Sequence, residues 1–282
     1  MKQYLFKIDG PSLKAGTPLP LAISALDSFQ RILDKTYLVG FGGKKISANE
    51  RERFFLKATK FEQNSLTTYF EIAIQSVQLS LPIFTSLGPH NIWDFTVESF
   101  NFLKVVCDAV QQGEEPKYNF KDNDNVEVVA GNKTYNYNAP VIQIGESALP
   151  HYQKLAHLID PKKLSEILAF PSQSTTPDMY LGKKDKEIFD IPTKIEKDTV
   201  EIKCEVFDFN KYKNAGKLAI KLNGQAIEQG EYNFTIFGNQ DNVEYIYSML
   251  KPEVELTCLR EIALSPFGGY EIHKLHITGV SS

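Results

Sequence analysis

Hydrophobic and polar positions alternate with two different periods along this chain, and the changes of period mark its elements. Residues 3–9 (QYLFKID) read as a short strand ended by Gly10-Pro11. Thr17-Pro18 supplies an N-cap followed by proline at a first helical position, where the missing N–H costs nothing. The positions Ala22, Ala25, Leu26, Phe29, Ile32, Leu33 and Tyr37 then define one face of a helix to about Leu38, stopped by Gly40, Gly42 and Gly43. Ser47 and Glu50 have the spacing of a capping box for a short helical turn.

From Phe54 the period becomes two. Leu66, Thr68, Phe70, Ile72 and Ile74 alternate with Thr67, Tyr69, Glu71 and Ala73, and Gln63-Asn64-Ser65 supplies the turn of a hairpin. A second long helix is predicted over 91–112. It carries Ile92, Phe95, Ser99, Phe102, Leu103, Val106 and Val110 on one stripe, Trp93, Val97, Phe100 and Val105 off it, and Gly113 as its stop. A helix apolar nearly all round belongs at the centre of its domain. After a polar connection, VEVVAGNKTYNY predicts another hairpin around Gly131-Asn132. Further helices are expected with Ser147 and Asp160 as caps and Pro161 at a first turn. Between 171 and 198 the periodicity fades and proline, serine and alternating charge take over, which reads as a linker.

Beyond it the alternation returns: Val200, Ile202, Cys204 and Val206; then Leu218, Ile220 and Leu222; then Tyr232, Phe234 and Ile236. A short helix over 239–250 is expected to gather Val243, Ile246, Tyr247 and Leu250 on one side. Val254, Leu256 and Cys258 form a fourth strand, and Tyr270 and Ile272 begin a fifth. The expectation is an α+β protein. An N-terminal domain (1–170) has helices packed on antiparallel β-hairpins, a linker covers 171–198, and a small β-barrel domain (199–282) follows. Five strands with a helix between the third and fourth is the order of an OB-fold. An SH3-like barrel and a two-layer α/β sheet are the alternatives.

Composition narrows the function. The chain has 282 residues, 42% hydrophobic and 23% charged, enough for a core without metal or disulfide support. Cys107, Cys204 and Cys258 lie far apart in apolar surroundings and read as buried thiols, with no zinc-ligand spacing. No signal-peptide pattern or membrane-length apolar run occurs, so a cytoplasmic protein is expected, with no membrane partner and no cofactor. The net charge is −4. From residue 195 onward the chain carries 9 Lys+Arg and 13 Asp+Glu, so the acidity lies in its C-terminal part.

Three chemistries can be weighed on these residues. Asp178, Glu201 and Lys203 match the loose P-D…(D/E)-x-K pattern of Mg²⁺-dependent nucleases, in which two carboxylates hold a hard cation and a lysine steadies the attack. The same Glu201 and Lys203, with Glu205, equally form the solvated side of an amphipathic strand. An OB-like barrel would place Phe209, Lys211, Tyr212 and Lys213 on its first loop and Phe267 on its last. Rings for base stacking beside cations for phosphates suit single-stranded nucleic acid. On the opposite reading Phe209 and Phe267 plug the barrel ends. The third possibility is a protein partner or homo-oligomer, as in an assembly or regulatory subunit of a bacterial complex, defence and mobile-element systems included.

Weaker signals carry no chemistry. Gly40-Phe41-Gly42-Gly43-Lys44 fails as a phosphate loop because Leu38 stands where the first glycine belongs. His273 and His276 point to opposite faces of a regular strand, and only a bulge would bring them together. His90, His151 and His157 have no ligand-spaced partner. The expectation is therefore a binding protein rather than an enzyme.

Overall fold

The computed structural model describes residues 2–14, 16–62, 66–74, 89–121, 125–224 and 226–281. The turn expected at Gln63-Asn64-Ser65 and the side chain of His90 lie outside the described residues. The chain divides into two compact units, Met1–Ile191 and Pro192–Ser282. No described helix is long and apolar enough to cross a membrane.

In the first unit β1 (Gln3–Asp9) leads to α1 (Leu19–Phe41) and α2 (Ala48–Arg53), then to β2 (Phe54–Glu62), β3 (Leu66–Ile74) and α3 (Pro89–Gln111). β4 (Lys117–Phe120), β5 (Asn125–Ala130) and β6 (Lys133–Asn138) precede α4 (Ala139–His157). β7 (Glu166–Pro171), β8 (Met179–Leu181) and α5 (Lys183–Phe189) complete it. An antiparallel sheet runs in the order β2-β3-β1-β7-β8, and a second runs β4-β5-β6.

Local chemistry accounts for several boundaries. The Ser47 side chain and the Glu50 carboxylate cap α2 reciprocally. Gly42 adopts φ +70° at the end of α1, a conformation that only glycine takes without strain. Aromatic rings knit sheet to helix: Tyr4 stacks on Trp93 at 4.4 Å, Phe6 on Phe29 at 4.4 Å, and Tyr37 on Phe54 at 4.3 Å.

Two local expectations fail here. Ser147 is not a cap but an interior residue of one continuous α4, its hydroxyl donating to the Ile144 carbonyl at 3.1 Å. Asp160 caps no helix either; it accepts the Lys162 N–H at 3.0 Å in a turn. The stretch 171–198, read from sequence as a linker, holds β8, α5 and β9 (Thr193–Ile195). Elements of three to seven residues are too short to impose a visible period.

The second unit is a closed barrel of β10 (Val200–Asn210), β11 (Ala215–Ile220), β12 (Gly230–Ile236), β13 (Val254–Leu264) and β14 (Tyr270–Ser281). A helix, α6 (Asn242–Ser248), lies between its third and fourth strands. The order is β10-β11-β12-β14-β13, and the first half of β10 returns to pair with β13. All pairings are antiparallel except β12 with β14, and β9 adds to the far end of β13. The chain is thus a mixed α+β protein with a small closed β-barrel.

Ile202, Cys204 and Val206 of β10 face inward with Leu218, Phe234, Leu256 and Leu275. Each such side chain contributes about 1.5–3 kcal/mol on burial. Cys204 and Cys258 sit in this core and Cys107 in the first unit, all free and buried, their thiols pushed up to about 12, 11 and 12 by desolvation.

Helix α6 turns the other way from the expectation. Tyr245 and Ser248 face the core, while Val243, Ile246, Tyr247 and Leu250 are exposed.

Gly216 admits the close approach of β10 and β12. A Cβ there would stand 2.1 Å from the Asp208 carbonyl oxygen and 2.9 Å from the Phe234 ring. Gly216→Ala should therefore destabilise the barrel by about 1–3 kcal/mol. Urea denaturation followed by circular dichroism measures it, and an unchanged midpoint would show that the approach relaxes freely.

Candidate functional site

The turn between β10 and β11 is built by its asparagines. The Asn210 side-chain oxygen accepts the N–H groups of Tyr212 and Lys213 at 3.1 and 3.2 Å, an Asx-type closure. Asn214 takes the left-handed conformation with φ 49°, which asparagine tolerates better than most residues. From α6, the Asn242 amide donates to the Lys211 carbonyl at 3.2 Å and to the Asn214 side-chain oxygen at 3.0 Å. The Asn214 carbonyl in turn accepts the Ile236 N–H from the end of β12 at 2.8 Å.

From this braced turn Tyr212 projects outward, 88% exposed, with the Lys211 ammonium 5.1 Å from its ring centre. Lys213 is exposed beside it, and Lys217 on β11 and Lys221 just past its end continue the basic edge. Lys221 is ion-paired with Glu205, and Asp208 lies opposite Lys217 in the register. Four lysines and one aromatic ring thus lie along the turn and the strand after it, with carboxylates interspersed among them.

The other predicted residues fall elsewhere. Phe209 is half-buried, its ring 6.1 Å from Phe234 and 5.6 Å from Tyr245, and it packs on the barrel core. Phe267 is half-buried in the turn between β13 and β14, where its N–H donates to the Ser265 hydroxyl at 3.2 Å. Of the five, Lys211, Tyr212 and Lys213 come together on the surface.

Asp178 belongs to the first unit, and its carboxylate accepts the Trp93 indole N–H at 2.7 Å. Glu201 and Lys203 lie on the outer side of β10. Lys203 is paired across the ladder with Glu255 at 2.7 Å, which raises its pKa. Among the described residues no three His, Cys, Asp or Glu side chains gather as a metal ligand set.

Sequence reasoning missed a polar chain on the outside of the barrel. The His276 Nε2–H donates to Glu261 at 2.7 Å, and the other Glu261 oxygen accepts the Thr193 hydroxyl at 2.6 Å. His276 Nδ1 meets the Thr235 hydroxyl at 3.2 Å, and Phe237 stands edge-on to the imidazole at 6.1 Å. Four strands, β9, β12, β13 and β14, each contribute one member. A bulge does occur at His273, since Lys274 faces Glu261 while Ile272 faces Ile262. His276 nevertheless takes Glu261 and Thr235 as its partners.

The Glu261 carboxyl is held below the usual carboxylate range, first by the Thr193 hydroxyl and then by His276 and Lys274, against some desolvation. A carboxylate whose pKa is lower folded than unfolded stabilises above its ordinary value. That stability is lost as pH falls through the lower folded value. The barrel should therefore weaken on acidification below about pH 4.5, and Glu261→Gln should flatten that limb in a pH series of thermal melts. An acid limb identical in the variant would show the carboxylate to be unlinked to folding.

No family model, no curated protein and no solved structure matches this chain.

Proposed function

We propose that the barrel is an OB-fold and that it binds single-stranded nucleic acid across β11 and β12, entering at the Lys211–Lys213 turn. The strand order supports the fold assignment. The first strand bonds to the second and fourth, the third pairs in parallel with the fifth, and the helix falls between the third and fourth. An OB barrel presents its second and third strands, with the loop before the second, to extended ligands.

The observation that carries the reading is Tyr212. A large ring held in water by a turn braced at Asn210, Asn214 and Asn242 gains nothing for the fold, and the adjacent lysines suit a strand whose bases stack and whose phosphates are neutralised. The unit has 10 basic and 13 acidic residues, so non-specific attraction to a polyanion is weak and the contact depends on this local edge.

One observation favours a second reading. The exposed apolar stripe of Val243, Ile246, Tyr247 and Leu250 on α6 has the character of a protein-docking surface, and a partner chain or a second copy would bury it.

Fluorescence anisotropy of an end-labelled decathymidylate against the full-length protein tests the first reading. Affinity should fall steeply with salt, with a log–log slope of about −2 for three phosphate contacts. Tyr212→Ala should weaken binding about tenfold. No binding at low salt, together with a solution mass well above the 31.9 kDa of one chain, would favour assembly instead.

A further inference from the structure

A cleft of about 770 Å³ opens on the barrel apart from Lys211, Tyr212 and Lys213. The loop between β11 and β12 forms one wall, β9 and β13 form another, and the start of β14 forms the third. Its floor is apolar, with Ile227 buried and Ile272 packed on the barrel core. The volume lies within the range of small-ligand pockets, about 300–1,000 Å³.

Two tyrosines rise from this floor. Tyr232 is half-buried and its hydroxyl donates to the Glu228 carbonyl at 3.0 Å, which holds the wall loop against β12. Tyr270 is 69% exposed. Between them stand charges of both signs. Arg260 is ion-paired with Glu196 at 2.5 Å and reaches the Ala226 carbonyl at 3.5 Å. Further Arg260 N–H groups are left over from those two contacts. The Glu271 carboxylate accepts the Ser265 hydroxyl at 2.5 Å. Lys194 and Glu228 complete the charged lining.

This mixture decides what the cleft can take. With Glu196, Glu228 and Glu271 against Lys194 and Arg260, a phosphate is repelled as much as held. A purely apolar group would leave the guanidinium and carboxylates desolvated without partners. A flat, neutral ring with donors and acceptors on its edge satisfies both conditions: its faces meet the tyrosines, its acceptors meet Arg260 and its donors meet Glu228. We infer that the cleft receives one nucleobase of the bound strand and prefers guanine, whose O6 and N7 accept from arginine while its amino group donates to a carboxylate.

The inference rests on the strand-binding reading above, and the geometry of β12 joins the two sites. Ala215, at the root of the Tyr212 turn, pairs with Thr235, and Tyr232 lies three residues earlier on the same strand, an odd step that turns its side chain to the opposite side of the sheet, against the barrel core. That separation is about 10 Å. A strand that leaves the turn therefore passes round the stretch of β12 before Phe234, which β14 does not cover, to reach the cleft, within the roughly 4–16 nucleotides that one such barrel spans.

The test is a guanine scan: full-length protein is titrated with an end-labelled heptathymidylate and with the seven strands that carry one guanine at each position in turn. One position should bind about tenfold tighter than thymine. Glu228→Gln should bring that strand back to the thymidylate value, and Tyr270→Ala, an exposed change that does not touch the core, should weaken all strands about tenfold. A flat scan with silent Glu228→Gln and Tyr270→Ala, alongside a harmful Tyr212→Ala, would overturn the cleft assignment and leave the strand-binding face standing. If no strand binds the wild-type protein, both readings fall together.

Discussion

The second unit depends on β10 pairing at both ends with different neighbours. Its first half bonds to β13 and its second half to β11, so one strand of eleven residues shuts the sheet on itself. A sheet closed in this way leaves little free edge to recruit another chain, the part of β12 before Phe234 being the stretch that β14 does not cover. The register shift between Val206 and Asp208 lets β10 bend from one partner to the other. Gly216 lies opposite Phe209 just past that bend, where a side chain would strike the Asp208 carbonyl. Closure and the shape of the Tyr212 turn are thus set at one place.

The outer surface follows from the same geometry. Because alternate residues point outward, the positions between the core residues of β11 and β12 form one face, and Lys217 and Asn233 meet there in register. The Thr193, Glu261, His276 and Thr235 chain ties β9, β13, β14 and β12 together on the outside, much as the apolar cluster does within. Asn242 ties α6 to the turn. A ring presented from so many fixed points loses little freedom on binding, which is how a site with few cations can still hold an extended ligand.

How much of this was legible in the sequence varied with element length. The strands of the barrel are six to twelve residues long and alternate cleanly, so their order and the position of the helix could be read directly. The two long helices announced themselves by period and by glycine stops. β8, β9 and α5 were hidden in a polar stretch because three to seven residues leave no periodic trace. Helix α6 was legible as a helix but not in orientation. Val243, Tyr247 and Leu250 make the stronger apolar stripe, yet Tyr245 wins the core because its ring meets Phe209 and Phe234 and its hydroxyl reaches Gln240 at 2.5 Å. Of the candidate site, the Lys211, Tyr212 and Lys213 cluster was visible as aromatic and basic residues on one loop. The packing of half-buried Phe209 on the barrel core was one of two readings left open, since an end-of-strand aromatic reads the same facing in or out. The cleft was out of reach altogether, because its residues come from five separated segments that only the barrel brings together.

Hydrogen exchange with and without a saturating single-stranded oligonucleotide tests the central claim most directly, because it reports which surface of the whole chain the ligand covers. Slowed exchange is expected at residues 210–217 and 230–236, joined by 226–228 and 270–272 where a base enters the cleft, with α6 unchanged. Protection of residues 242–250 instead, or no change anywhere in the barrel, would contradict it.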